Sequence, residues 1–304
     1  MWDFCPSLGA SILFIVLFTA TTVIHLIQAI FYKKPYCWVI VVSGLLQAVT
    51  YVFRTISIET PSNFPYYATW FVVILVAPLW TNAFAYMVFG RIVWTYTDDH
   101  QVWGVKAQYY GFGFVVLDIV AFVVQVYGAV QATGSDAPYS QVLQGLHIYL
   151  GGIGIQLFFI LVFSLFGLRC YLSLKKGTNG PRQKAAIILL YSQFVVLFLI
   201  AVSDPCLDRL ATRTWLTRVF KLRIVFRIIE YSHGLDSSIP NHEAYQYTLD
   251  SLPMLVALVV YNVVHPGRVL HDTTMPSIWR GMRTGTKRRN SAISLSSQSR
   301  GHST

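Results

Sequence analysis

The sequence predicts an all-α fold: a polytopic membrane protein of seven transmembrane helices, with the N-terminus outside and the C-terminus cytosolic. Three observations predict it. Of 304 residues, 55% are apolar and only 12% charged, where a soluble domain carries roughly 25% charge. The apolar residues gather into seven runs, each longer than the roughly 18 residues a span requires. Lys and Arg concentrate in alternate links between those runs. Too little polar surface remains to cover a water-facing globule. That excludes disorder, a coiled coil, a small disulfide scaffold and most soluble enzymes.

The first run covers about Leu8 to Tyr32 and stops at Lys33-Lys34-Pro35. The second covers Cys37 to Ile56 and stops in SIETPSNFP. The third covers Tyr66 to Trp94, with Pro78 inside it, and a polar link containing Asp98, Asp99, His100 and Lys106 follows. The fourth covers Tyr109 to Val130 and ends in QATGSDAP. The fifth covers Val142 to Leu172 and ends in LKKGTNGPRQK. The sixth begins near Ala185 and stays apolar to Ser203. The seventh covers Tyr245 to Val264 and is closed by His265-Pro266-Gly267. No repeat of 20–50 residues is visible, so a repeat-built transporter finds no support. Residues 1–270 form the membrane domain. Residues 271–304 form a basic, Ser-rich tail without apolar periodicity, expected to be disordered and cytosolic.

Charge sets the orientation. Loops 1–2, 3–4 and 5–6 and the tail hold sixteen Lys and Arg residues, Arg91 and Arg169 counted among them. The N-terminus and loops 2–3 and 4–5 hold none, which places them outside. Loop 6–7 breaks the bias with six basic residues between Arg209 and Arg227. The net charge of +10 therefore belongs to loops and tail rather than to a soluble face, and no nucleic-acid partner is expected. In the tail, Lys287, Arg288 and Arg289 precede Ser291 at a spacing that basophilic kinases favour. Phosphate there would offset attraction to an anionic leaflet, and an inert tail is the plainer reading.

Cys5, Cys37, Cys170 and Cys206 form no CxxC pair, so no zinc or redox motif arises. Cys37 and Cys170 are weak palmitoylation candidates, and Cys5 and Cys206 would share the outer side. The N-terminus lacks the basic start of a cleavable signal, and no N-x-[ST] acceptor occurs. No metal and no cofactor is expected.

Ionisable groups inside a span are costly, so each calls for a reason. Asp118 lies in the fourth run, with Gln125 two turns later on the same face. Asp250 lies in the seventh, one turn before Pro253. Arg54 sits near the outer end of the second. In the fifth, Gly145, Gly151, Gly152 and Gly154 surround Gln156, and small residues let helices approach while amides bond across the gap. Helix glue is the simpler account of Gln125 and Gln156. Function is favoured for Asp118 and Asp250, since carboxylates are rarer glue than amides.

The densest group of ionisable residues is RIVFRIIEYSHG, residues 223–234. Arg223, Arg227 and Glu230 share one helical face there. Then comes NHEAYQYTLDSLPM, residues 241–254, with His242, Glu243, Tyr247 and Asp250. An interfacial salt-bridge face is the competing account. These residues match the pattern R-x-x-F-R-x-x-E-x-x-x-G, H-E-x-x-x-Y-x-x-D-x-x-P-M and H-P-G. On them the chain resembles the fungal RTA-like proteins, the lipid-translocating exporter family named for resistance to an aminocholesterol. Pro6-Ser7, His25, Gly44, Tyr51 with Arg54, Ala77-Pro78, Tyr86, Arg91, Asp118 with Gln125, and Gly152 with Gln156 agree, so the resemblance spans about residues 5–270. Two departures stand out. Gln47 replaces a frequent Glu. About twenty extra residues, Val202 to Lys221, interrupt the sixth run before the Arg223 motif. That insertion adds basic charge to an outside loop. It is expected to form a poorly packed excursion over 204–218, foreign to the fold and in origin a retained intron.

The resemblance implies a seven-span integral protein, most naturally of the plasma membrane, that moves or releases amphipathic lipids such as sphingoid bases and confers resistance to membrane-active toxins. Its partners would be membrane lipids or amphipathic small molecules. The substrate would contact Asp118, Gln125, Gln156, Arg227, Glu230 and Asp250, with Arg54, Arg223, His242, Glu243, Tyr247 and Pro253 completing the motif. No G-x-x-x-x-G-K-[ST] loop occurs, so the chain itself does not hydrolyse ATP. A seven-span lipid sensor fits the same topology and is the alternative. A seven-span zinc hydrolase falls short, because no HxxxH or HExxH pair exists to supply ligands, and no enzyme activity is expected.

Overall fold

The computed structural model describes residues 6–97, 99–132, 138–176, 180–201 and 246–270. Eight α-helices occur among them: α1 Leu8–Tyr32, α2 Cys37–Glu59, α3 Phe64–Tyr96, α4 Ala107–Ala132, α5 Tyr139–Lys175, α6 Pro181–Ala201, α7 Leu252–Val263 and α8 Pro266–Val269. A π-helical turn, Tyr247–Ser251, leads directly into α7. Six stretches are long and apolar enough to cross a membrane: α1 to α5 and the run Leu252–Val269. In α6 the apolar stretch of matching character is shorter, Gln183–Leu197.

Local chemistry sets the ends. The Ser7 hydroxyl accepts the Ala10 amide at 3.3 Å and starts α1, satisfying a donor that the helix cannot bond internally. Lys33 adopts a left-handed φ of 51° at the end of α1, and Pro35 follows. The α3 helix begins with Pro65 in its first turn, where a missing N–H costs nothing.

Consecutive helices from α1 to α5 pack side by side, and α7 lies against α1 and α6. The α3 helix also touches α5 and α6, which makes it the central element. Its inner face carries Phe84, Tyr86, Phe89 and Ile92, all fully buried. An aromatic nest of Tyr86, Phe89, Tyr110, Phe114 and Phe163 joins α3, α4 and α5, with ring centroids 4.6–5.3 Å apart in its main contacts. The opposite faces are apolar as well: Ile27, Phe31, Val123, Val130 and Phe158 are all exposed. In water such a surface would aggregate. In a bilayer it is the lipid-facing side.

The α4–α5 seam is the closest backbone approach that glycines make among the described residues. A Cβ on Gly128 would lie 2.3 Å from the Tyr149 amide nitrogen and 2.6 Å from the Gly145 carbonyl. Gly145 and Gly152 meet α4 as closely, whereas Gly151 and Gly154 face open space. Of the glycines flagged by sequence, therefore, only two of the four build the seam.

Three differences from the sequence reading concern the ends. Arg91 and Arg169 belong to α3 and α5 rather than to loops. The polar link after α3 contains a β-hairpin, strand β1 Gln101–Val102 paired with strand β2 Val105–Lys106. Trp103 and Gly104 turn it with φ of 49° and 76°, the positive pair that a two-residue hairpin needs. Cys37 and Cys170 are fully buried, which removes them from reach of acylation. The insertion Val202–Lys221, its expected excursion, Cys5, Cys206 and the tail 271–304 lie outside the described residues.

Candidate functional site

The central helix carries Asn82 and Tyr86 one turn apart, so both side chains leave the same face. They meet Asp118 on α4. The Asn82 Nδ2 donates to Asp118 Oδ2 at 3.0 Å, and the Tyr86 hydroxyl donates to the same oxygen at 3.1 Å. Asp118 is 2% exposed and Asn82 is fully buried. The other carboxylate oxygen, Oδ1, has no hydrogen-bond partner among the described residues, and neither has Asn82 Oδ1. Two buried acceptor oxygens thus sit on two groups that already bond each other. An unsatisfied buried acceptor costs roughly 1–3 kcal/mol, more when charged. The arrangement is therefore short of a positive donor.

Nearby polar contacts extend this layer. Tyr261 of α7 donates to Gln193 Oε1 of α6 at 2.8 Å, and its ring stands edge-on to Phe84 at 4.9 Å. Between α2 and α3, the Ser43 hydroxyl bonds Thr81 at 2.6 Å and donates to the Ala77 carbonyl at 3.2 Å, just ahead of the Pro78 interruption. Gln47 is buried on α2 with its Nε2 unpartnered among the described residues. An amide carries no charge, whereas the resemblance leads one to a frequent Glu at this position.

A second cluster gathers where α1 begins, α2 ends and the π-helical turn stands. Arg54 is fully buried. Its Nε donates to the Tyr247 hydroxyl at 3.0 Å and one terminal nitrogen donates to Gln246 Oε1 at 2.6 Å. Its guanidinium carbon lies 5.0 Å from the ring centres of both Trp70 and Tyr247. Ser11 bonds the Tyr247 hydroxyl at 2.8 Å, and Tyr51 bonds Ser251. Asp250 is buried in the same turn, within electrostatic range of Tyr51. The π-helical geometry widens this turn and draws Tyr247, Asp250 and Ser251 toward the bundle together. Arg54→Leu is expected to lower unfolding stability in detergent by roughly 3 kcal/mol, since hydrogen bonds to a charged donor contribute about 1.5–3 kcal/mol each. Arg54→Lys should recover little of the loss, because an ammonium lacks the planar fork. Thermal unfolding of the purified variants measures both.

Further polar contacts tie helices. Gln125 Nε2 of α4 donates to Gln156 Oε1 of α5 at 3.1 Å, with Gly152 packed on Gln125. This is the amide bond across a small-residue seam that the sequence suggests. Between α1 and α7, His25 bonds the Leu258 carbonyl at 3.1 Å and Gln28 donates to the Asn262 carbonyl at 2.9 Å. At the far end of α7 the H-P-G motif is a closure device. The His265 ring caps the Gly267 amide at 3.1 Å and stacks on Tyr32 at 4.7 Å. Arg268 donates to the Tyr32 hydroxyl at 3.0 Å.

The sequence-predicted residues therefore divide. Asp118 bonds toward α3, and Gln125 with Gln156 forms a separate pair toward α5. Arg54, Tyr247 and Asp250 share the second cluster, and Pro253 is buried in the first turn of α7. Arg223, Arg227, Glu230, His242 and Glu243 lie outside the described residues. Sequence reasoning missed Asn82, whose signal is a polar residue four positions before Tyr86 in an apolar run. It also missed Ser11, Gln246 and Ser251, which carry no signal until the chain folds. Among the described residues no group of three His, Cys, Asp or Glu side chains could hold a metal ion.

The chain is similar in sequence to known proteins. Residues 40–273 match the family described as RTA1 like protein. A protein of Emericella nidulans named as a probable lipid transporter is 34% identical over 289 residues, covering 90% of this chain and 70% of that protein. A sphingoid long-chain base transporter of Saccharomyces cerevisiae is 24% identical, covering 86% of this chain and 72% of its own. A protoporphyrin uptake protein of the same yeast is 23% identical, covering 86% and 91%. No solved structure matches.

Proposed function

This chain belongs to the RTA1-like protein family of multi-pass integral membrane proteins, and we propose that it moves amphipathic lipids with a cationic amine head, sphingoid bases being the model, between the two leaflets. The finer topology belongs to the same proposal: seven spans with α6 as the sixth, an outside N-terminus and a cytosolic tail, in the plasma membrane. The observation that carries the reading is the pair of orphaned acceptors, Asp118 Oδ1 and Asn82 Oδ1. An ammonium head brings three donors and one positive charge, which is what the pair lacks. The acyl chain would stay in lipid while the head crosses, so the protein has only the head to shelter. Both oxygens are sealed in this conformation, and passage requires an alternation that opens the layer to one side and then the other. Resistance to membrane-active toxins would follow from clearing such amphiphiles from one leaflet. The α4–α5 amides are assigned to assembly, and Arg54 with Tyr247 and Asp250 to the end of the path. Arg227 and Glu230 are proposed to join that end.

The test is flux in vesicles containing the purified full chain. A fluorescent sphingoid base should change leaflets faster than in empty vesicles, and its N-acylated, uncharged counterpart should not. Equal acceleration of both would discard the role of the charged head. No acceleration, with ligand-dependent recruitment of a cytosolic partner, would favour the sensor instead.

A further inference from the structure

Asp118 stands in the middle of the bundle, and among the described residues no cation is paired with it. Two neutral donors, Asn82 and Tyr86, satisfy one oxygen at 3.0 and 3.1 Å. Its second oxygen is buried without a hydrogen-bond partner, and no ion pair involves it among the described residues. Several helices contribute to the layer around it. From α3 come Asn82 and Tyr86. From α5 comes Phe163, whose ring packs on Tyr86 and Phe114 at 4.6 and 5.0 Å. From α7 comes Tyr261, whose hydroxyl is committed to Gln193 of α6 at 2.8 Å. Among the described residues the ionisable groups in this layer are thus Asp118 itself and the two phenols, Tyr86 and Tyr261. Neither phenol can supply positive charge. The basic residue at the end cluster, Arg54, is committed to Gln246 and Tyr247.

An isolated carboxylate in a low-dielectric interior acquires a positive partner or gives up its charge. In the closed conformation described here, the small positive species that fits a sealed atom is a proton. We propose that Asp118 is a proton-exchange site: Oδ1 carries a proton when the lipid site is empty and surrenders it when an ammonium head binds. This rests on the reading of the protein as an amine-lipid translocator and adds the ion that couples to it. The balance is direct. Protonated Asp118 plus a bound ammonium gives the carboxylate–ammonium pair plus one proton released to the aqueous side then open. No bond other than O–H breaks, and no oxidant or nucleotide takes part. A proton gradient would then drive the lipid in the opposite sense, which supplies energy to a chain that has no nucleotide-binding loop.

The experiment uses purified full-length protein in lightly buffered nanodiscs. The probe is N,N,N-trimethylsphingosine, whose quaternary head carries no titratable proton. Binding to the wild type at mildly acid pH should release about one proton per bound probe, and affinity should weaken by about tenfold for each further pH unit of acidification. Asp118→Asn should release none. Infrared difference spectra should show the carbonyl stretch of a protonated carboxyl group in the empty wild type, lost on probe binding and absent in Asp118→Asn. Probe binding without proton release overturns the exchange and leaves the lipid reading standing. A protonated carboxyl that persists when the probe binds, or never forms, overturns the exchange as well. Failure of the wild type to bind either this probe or the unsubstituted primary-amine sphingoid base at any pH, with the carboxyl band present, overturns both the exchange and the amine-lipid reading.

Discussion

Asp118→Asn is expected to reduce amine-lipid flux at least about tenfold while leaving the amount of protein in the membrane close to wild type. The two halves of that expectation have separate causes. Asn is nearly isosteric with Asp, and its amide oxygen can still accept from Asn82 or Tyr86, so the folding loss is bounded by one hydrogen bond, about 1 kcal/mol. Against it stands the relief of placing no ionisable carboxyl group mid-span, a part of the about 2.5–3.5 kcal/mol that Asp costs there on insertion scales. The ammonium site, by contrast, loses its charge. Asp118→Ala supplies the control for the glue reading. It strands the Asn82 amide and the Tyr86 hydroxyl, which now both donate to Asp118 Oδ2, and should cost roughly 1–3 kcal/mol for each stranded donor. Flux in vesicles and yield of monodisperse protein are the two readouts. If Asp118→Asn disappears from the membrane as Asp118→Ala does, the residue is an assembly element and the functional assignment fails.

Much of the fold was legible because a bilayer imposes simple rules. Every backbone group must be bonded within the segment, so long apolar runs become helices, and the runs ending at Tyr32 and starting at Cys37 fall within a residue or two of the observed ends. The Trp103-Gly104 hairpin was not legible. Its strands are two residues each, too short for any alternation, and its packing comes from Tyr110 donating to the Val102 carbonyl at 3.0 Å. Arg91 read as a loop charge because basic residues usually sit outside the bilayer core. Here its guanidinium lies 4.1 Å from the centre of the Tyr36 ring and bonds the Met87 carbonyl, so a helix end tolerates it.

The candidate site was legible in part, for a related reason. A lone Asp in an apolar run announces itself by cost alone. Which partner it takes does not follow from its own helix. The same face of α4 carries Asp118 and Gln125, yet one turns to α3 and the other to α5, because α4 is wedged between them. A line of polar residues on one helix thus became two contacts with different neighbours. Periodicity reports a face, while the division of that face depends on helix crossing. The same limit hid Asn82: asparagine in a span is ordinary glue until a carboxylate is found opposite it.

Gly128→Ala is expected to be the most damaging Gly→Ala change among the described residues, lowering unfolding stability by about 1–3 kcal/mol or preventing assembly of α4 on α5. The added Cβ would lie 2.3 Å from the Tyr149 amide nitrogen, 2.6 Å from the Gly145 carbonyl oxygen and 2.8 Å from the Tyr149 Cα. All three are backbone atoms, so no rotamer change can make room and the helices must separate. Separation is costly here for a reason specific to lipid. Apolar contact between helices competes with equally apolar acyl chains, so close packing and interhelical hydrogen bonds hold the pair. Widening the seam would also stretch the Gln125–Gln156 bond, now 3.1 Å. Gly151→Ala and Gly154→Ala are the controls: the same methyl meets nothing within 4 Å at either position. An Ala in a helix is otherwise favoured over Gly by roughly 0.5–1 kcal/mol, so these two should be neutral or slightly stabilising. Unfolding of the three variants in detergent, followed by circular dichroism, makes the comparison. Equal behaviour at positions 128 and 151 would mean that the two helices part without cost, and the seam would lose its claim to hold the bundle together.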